Sequence, residues 1–253
     1  MLFLFRKLRR KLLSGESKVL SYLLYAIGEI ILVVIGILIA VAIDDWNTNR
    51  TYRIKEKAVI ENLHHEFMKN QQSLDSAITR HQKIQKSIAK VMSLIGETES
   101  ILNQQNIDSL LYLTLDYSDY IPSESVISEL IASGKMDLIT SDSLRMLLFD
   151  WVSGMGEKDE GYTTMDEISQ TQTLAYLTRN GSMKNIDQYG LLKDNGQSKF
   201  ASRNLLLFSQ VEFENHMDNQ LWGVTNFLLK LEYLRTIIDQ ILLETSQSTN
   251  KSR

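Results

Sequence analysis

From Tyr22 to Ile43 the chain reads YLLYAIGEIILVVIGILIAVAI, an unbroken apolar run in which Glu29 is the single charged position. At about 1.5 Å per residue these residues reach about 33 Å as a helix, enough to cross a hydrocarbon core of about 30 Å. The pattern then changes. From Trp46 to Ile95 there is neither Pro nor Gly, and apolar residues recur at Ile54, Ala58, Leu63, Phe67, Leu74, Ile78, Ile84, Ile88, Val91 and Ile95. Steps built from threes and fours predict one long helix that continues out of the apolar run.

Gly96-Glu97-Thr98-Glu99 predicts a break, and Asn106-Ile107-Asp108 opens a short apolar segment that ends at Asp116-Tyr117-Ser118-Asp119. Pro122-Ser123 predicts the start of a helix through Ile131, Gly134 its end, and Ser141 or Asp142 the cap of the next, which contains Leu144, Leu147, Leu148 and Trp151. Gly154, Gly156 and Gly161 read as a loosening of the chain before Thr164-Met165-Asp166-Glu167, a capping box for a helix to about Leu177. Residues 179–203 read as a long polar loop. Ser209-Gln210-Val211-Glu212 is a second capping box, followed by a seam at Met217, Leu221, Val224, Leu228 and Leu231 that resumes at Ile238 and Leu242 after Arg235. Its alternating steps suit a bundle seam packed antiparallel to the 46–95 helix.

These elements predict an all-α chain with one N-terminal transmembrane helix continuing into a long helix, and an extracytoplasmic helical bundle. Its segments are a basic N-terminus (1–21), the span (22–43), the bundle (44–245) and a polar, disordered tail (246–253). Composition agrees: 253 residues hold 12 Gly and 1 Pro, too few breakers for a strand-and-turn architecture. With no Cys there is no disulfide framework, thiolate metal site or thiol nucleophile.

Charge sets the expected orientation. Residues 1–21 carry Arg6, Lys7, Arg9, Arg10, Lys11 and Lys18 against Glu16, a net +5, whereas 44–253 hold 21 basic and 29 acidic side chains, a net −8. A short basic segment is retained in the cytoplasm, which places the C-terminal domain outside it. Tyr22, Tyr25 and Trp46 suit the two interfacial belts. Ala40-Val41-Ala42 has the form of a signal-peptidase site, but the run is too long, carries Glu29 and follows a long basic region, so an anchor is the preferred reading. MLFLF followed by Arg6, Lys7, Arg9, Arg10 and Lys11 suits a membrane-surface contact as well as a topology signal. An acidic chain offers no basic excess for nucleic acid.

The run YLLYAIGEIILVVIGILIA, followed by Asp44-Asp45-Trp46-Asn47, resembles the signature of an uncharacterised family of single-span membrane proteins of Gram-negative bacteria. ELIASGKMDLITSDSLRMLLFDW (129–151) is similar to that family's helix, Ser-Gly turn and helix. Where members read Gln-Ile-Asn-Asn-Trp-Asn after the span, this chain has Val41-Ala42-Ile43 before Asp44. The resemblance implies an inner-membrane location and a helical periplasmic domain, and no known activity.

Few residues invite chemistry. A carboxylate at Glu29 has to be neutralised, reach the interface or find a polar partner. Gly36 and Ala40 form a small-xxx-small pair that lets two helices approach, so Glu29, Gly36 and Ala40 are the candidate oligomer contacts. Glu61 with His64 is half of a di-iron pattern whose second half is missing, and His65 through Lys69 lacks the second His of a zincin. No phosphate loop, dinucleotide fingerprint or nucleophile elbow occurs. Arg145 is read as a structural ion pair, and Tyr112, Tyr117, Tyr120, Phe149 and Trp151 as core. The expectation is a non-enzymatic structural or interaction module without cofactor or metal, partnered by the bilayer and by a second copy or another membrane protein. Two other readings stand beside it: a ligand-sensing bundle, and a proton-coupled, stator-like subunit using Glu29.

Overall fold

The computed structural model describes residues 18–251, with side chains from Tyr22 to Gln247. These residues contain helices and turns and no strand. In chain order the helices are α1 (Lys18–Met92), α2 (Glu99–Leu102), α3 (Ile107–Leu115), α4 (Ser125–Ala132), α5 (Asp142–Glu167), α6 (Leu174–Asn180), α7 (Met183–Asp187), α8 (Asn204–Leu207) and α9 (Val211–Lys251). A π-helical turn, Ile168–Thr173, joins α5 to α6. The chain divides between Glu56 and Lys57 into two units.

In the first unit, residues 22–56 of α1 contain no buried side chain except partly covered Glu56. It holds the one helical stretch, among the described residues, that is long and apolar enough to cross a membrane.

The second unit is built on three long helices: the 57–92 part of α1, α5 and α9. Gln71 meets Asp239, Asp75 meets Arg235, and Gln85 meets Thr225, so numbers rise on α1 as they fall on α9, and the expected antiparallel pairing is present. α5 also runs antiparallel to α9, with Gly154 against Leu234, Gly161 against Lys230 and Met165 against Gly223. Phe67 and Trp151, both fully buried, close the third side with ring centroids 5.2 Å apart.

On α1 the covered positions are Ile60, Leu63, Phe67, Asn70, Leu74, His81, Ile84, Ile88 and Val91, with Ala77 half-buried between them. That is a regular alternation of threes and fours that includes two polar residues absent from the expected stripe, while Ile54 is exposed. On α9 the deepest positions are Phe213, Met217, Gln220, Val224, Phe227, Leu231, Leu234, Ile238, Ile241 and Thr245. The expected seam therefore moves by one position at alternate steps: Leu221 and Leu242 lie at its edge, where Arg235 pairs with Asp75 and Asp239. The shift follows from packing, because α9 is covered from two sides by α1 and α5 and buries a wider arc than a single seam.

Several local expectations change. The three glycines do not loosen the chain but lie inside continuous α5. A Cβ at Gly154 would stand 2.9 Å from Leu234 Cδ2 and one at Gly161 3.4 Å from Lys230 Cγ, whereas at Gly156 it would meet nothing within 4 Å. Two of the three thus let α5 and α9 approach closely. Thr164 to Glu167 lie within α5 and start no helix, because the π turn carries it onward. The second capping box does not form, since Ser209 Oγ donates to the Leu206 carbonyl and α9 begins at Val211. The tail read as disordered from 246 is helical through Lys251, and Thr245 is buried.

Other caps are as the local sequence dictates. Asn106 accepts the Ser109 amide, and of the two candidates at 141–142 it is Ser141 that accepts the Leu144 amide. Pro122 precedes α4 by three residues, and α4 ends in a Schellman turn: Lys135 N–H reaches the Leu130 carbonyl at 3.0 Å while Gly134 takes φ +64°.

Candidate functional site

The three residues expected to make membrane and oligomer contacts all lie on α1. Glu29, Gly36 and Ala40 lie seven and four residues apart in a continuous helix, which places them within about 40° of arc. A Cβ at Gly36 would meet nothing within 4 Å, and every residue from 22 to 43 is exposed. Arg6, Lys7, Arg9, Arg10 and Lys11 lie outside the described residues.

In the second unit three buried polar side chains, Glu66, Asn70 and Lys158, converge on one irregular stretch, Asp116 to Glu124, and its continuation into α4. Asn70 Nδ2 donates to the Ser123 carbonyl at 2.7 Å, and its Oδ1 accepts the Ser123 amide at 2.9 Å. One turn earlier on α1, Glu66 accepts from Ser125 Oγ at 2.6 Å, Ser123 Oγ at 3.2 Å and the Val126 amide at 3.1 Å. Glu124 makes no capping bond to α4, so the Glu66 carboxylate, supplied by another helix, satisfies a first-turn amide at a helix N-terminus. Glu124 instead accepts from Trp151 Nε1 at 3.2 Å.

From the opposite side, Lys158 of α5 donates to Asp119 Oδ1 and to the Tyr120 carbonyl, each at 3.0 Å, and pairs with Asp159 at 2.6 Å. Its side chain is only 2% exposed. Tyr120, itself buried, donates to the Asn70 carbonyl at 3.2 Å. Tyr117 donates to Asp166 at 2.7 Å, and burial, with that carboxylate adding to it, holds its phenol protonated well beyond the usual range. These bonds hold backbone and carboxylates in place; their geometry is that of a clamp.

A second polar group lies at the π turn. Thr173 Oγ1, Gln220 Oε1 and His216 Nδ1 are buried without a hydrogen-bond partner, although Gln220 Nε2 donates to the Thr114 carbonyl at 2.6 Å. Tyr176 packs its ring 4.6 Å from His216 and donates to Gln210. On α1, His81 is fully buried against Phe227, ring centroids 4.9 Å apart. Its Nδ1–H donates to the Ala77 carbonyl at 2.9 Å while Nε2 has no partner. Burial, and then the nearby Arg80 charge, push its pKa below the ordinary value against the opposing pull of the Ala77 bond, Asp119 and Asp116.

An open groove of about 550 Å³ runs over Asp75, Arg80, Lys83, Leu113 and Asp116. Two of its charges are engaged, Asp75 by Arg235 at 2.5 Å and Arg80 by Ser118 at 2.9 Å. His64 bonds Thr245 at 2.8 Å, and no three His, Asp or Glu side chains among the described residues converge as a metal site. Arg145 pairs with Asp142 and donates to the Ile139 carbonyl at 2.7 Å, a structural role. Trp151 and Tyr120 are core as expected and Tyr112 and Tyr117 half-buried, but Phe149 is 55% exposed, falling between the buried steps Leu148 and Trp151 of α5.

Sequence reasoning missed Glu66, Asn70, His81 and Lys158. The available signal for Asn70, His81 and Lys158 was spacing, since each occupies a buried step of its helix's three-four alternation, whereas Glu66 lies beside that alternation, next to Phe67.

No curated protein and no solved structure matches the chain. Residues 29–154, just short of half its length and reaching from Glu29 past the 116–124 stretch to Gly154, match the model of a family of unknown function (DUF6090).

Proposed function

We propose that this chain is a membrane-anchored, non-enzymatic interaction module that self-associates through its span, with its N-terminus in the cytoplasm and its helical domain in the periplasm. The observation that carries the reading is the bare 22–43 helix, on which Glu29, Gly36 and Ala40 share one face uncovered by the rest of the chain. Small residues allow close helix approach in a bilayer, and a carboxylate at that depth is stabilised by a polar neighbour on a second helix. The second unit supports an interaction role as well, since Glu66, Asn70 and Lys158 are occupied in holding the 116–124 stretch.

The chain contains no Cys, so one introduced thiol reports one position. Oxidative cross-linking in native membranes is expected to join copies of Gly36→Cys and Ala40→Cys and to spare Leu38→Cys, which lies on the other face. Thiol labelling by an impermeant reagent is expected at Ser153→Cys and not at Ser14→Cys when applied from the periplasmic side. A uniform cross-linking pattern, or a gently solubilised complex of monomer mass, overturns self-association; a co-purifying polytopic protein transfers the face to that partner.

A further inference from the structure

Residues 179–203 are not the unstructured loop that their composition suggests. The end of α6 and the whole of α7 lie within them, and their base is fixed at several points. Asn204 accepts the Ser182 amide at 2.6 Å and donates to Asp108 at 2.6 Å. Buried Asn185 accepts the Ser198 amide at 2.8 Å. Gly190 lies so close to the Tyr112 ring that a Cβ there would stand 2.4 Å from it.

Both arms of the remaining turn, 191–200, therefore leave an ordered base, and what they present is apolar. Leu191 is 100% exposed and Phe200 87%, with Leu192 half-exposed between them and the core. This is a convex tip rather than a groove. Its electrostatics invert those of its surroundings: 179–203 hold five basic side chains against Asp187 and Asp194, a net +3, while the rest of 44–253 carries −11. Lys193 and Lys199 flank the apolar residues, are exposed, and form no salt bridge among the described residues.

We infer that this tip docks on the surface of an anionic phospholipid bilayer, with Leu191, Leu192 and Phe200 entering the acyl boundary and Lys193 and Lys199 meeting headgroup phosphates. A convex apolar tip with cationic flanks combines the two terms that drive interfacial binding, burial at the headgroup boundary and attraction to a negative surface. An acidic protein surface satisfies the lysines alone and leaves a fully exposed leucine and a nearly fully exposed phenylalanine in water.

The test uses the full chain in phosphatidylcholine nanodiscs, with a polarity-sensitive dye on Ala201→Cys, the only thiol. Adding phosphatidylglycerol-containing vesicles is expected to shift the dye emission to the blue, and pure phosphatidylcholine vesicles to leave it unchanged. Because the dye reports the tip, capture through the basic 1–21 segment gives no shift. Lys193→Gln with Lys199→Gln is expected to weaken the response about 25-fold, about fivefold per lysine, and Leu191→Ser with Phe200→Ser to abolish it, with unchanged far-UV circular dichroism confirming the fold. Absence of a shift with anionic vesicles, a shift equal for neutral ones, or a response to soluble polyglutamate in place of vesicles overturns the inference, the last in favour of an acidic protein partner.

Discussion

Asn70 holds Ser123 by both backbone groups, its amide donating to the carbonyl and accepting from the N–H, so that one side chain of α1 completes for the 116–124 stretch the pairing that a neighbouring strand or helical turn would otherwise supply. The stretch runs without regular structure along the bundle, with Tyr120 buried and Ile121 and Ser123 exposed. Backbone groups outside helices and sheets still need partners where water is partly excluded. Asn70→Ala is expected to lower stability by about 2 kcal/mol, roughly the net contribution of two part-buried hydrogen bonds. Asn70→Asp, which can accept the amide but not donate to the carbonyl, falls between. Denaturant titrations of the three proteins in one detergent check the order.

Lys158 holds the same stretch from α5. Its side chain is almost wholly buried against Asp119 and the Tyr120 carbonyl. Lys158→Met keeps the stem and removes the charge, leaving a carboxylate and a carbonyl short of a donor. The expected loss is about 3 kcal/mol, and a variant that also carries Asp119→Asn is expected to recover part of it. A double-mutant cycle by thermal melting measures the coupling.

The glycines of α5 separate by environment. Gly156→Ala is expected to stabilise by about 0.5–1 kcal/mol, because a Cβ there meets nothing and the substitution removes the entropy cost of a mid-helix glycine. Gly154→Leu is expected to destabilise by about 2 kcal/mol, since the added side chain meets Leu234 in a filled interface. Opposite signs two residues apart are read directly from melting temperatures.

At the π turn, Thr173 Oγ1 is buried without a partner. Thr173→Val preserves shape and removes that hydroxyl, and is expected to be neutral or stabilising by about 1 kcal/mol. A loss of comparable size in the melting temperature contradicts this account of the turn.

His81 sets a pH dependence whose sign is fixed by its burial. Its folded pKa is depressed, so within the window below about 6.5 the unfolded chain binds more protons than the folded one. The stability that neutral His81 contributes is complete above that value and falls as pH drops toward the folded pKa. Arg80 opposes protonation from its own helix, while Asp116 and Asp119 favour it from the segment packed against it, without reversing the effect of burial. His81→Phe is expected to flatten the stability profile between pH of about 6.5 and 5; an unchanged slope assigns the dependence to other groups.

Periodicity and breakers were sufficient for the all-α class, the long first helix, the antiparallel return of α9 and the apolar span, because these depend on local helix geometry and on which residues avoid water. The same information misplaced the three glycines of α5, since a glycine that loosens a chain and one that admits a neighbouring helix are spelled alike, and only the 2.9 Å approach to Leu234 distinguishes them. The α9 seam was read one position off at alternate steps because a heptad count assumes one partner, and two helices cover α9. Glu66, Asn70 and His81 read as polar positions on a helix, and Lys158 as part of a loosened stretch, until the fold placed the 116–124 stretch and Phe227 against them. The 179–203 segment was legible in composition as polar, but its ordered base depends on Asn185, Asn204 and Tyr112 meeting it from other parts of the chain. Local sequence thus determined the all-α class, the long first and last helices and which stretch is apolar enough for a membrane, while the roles of buried polar groups and close-packed glycines were decided by neighbours distant in sequence, since hydrogen bonding and steric fit exist only between groups that the fold has brought together.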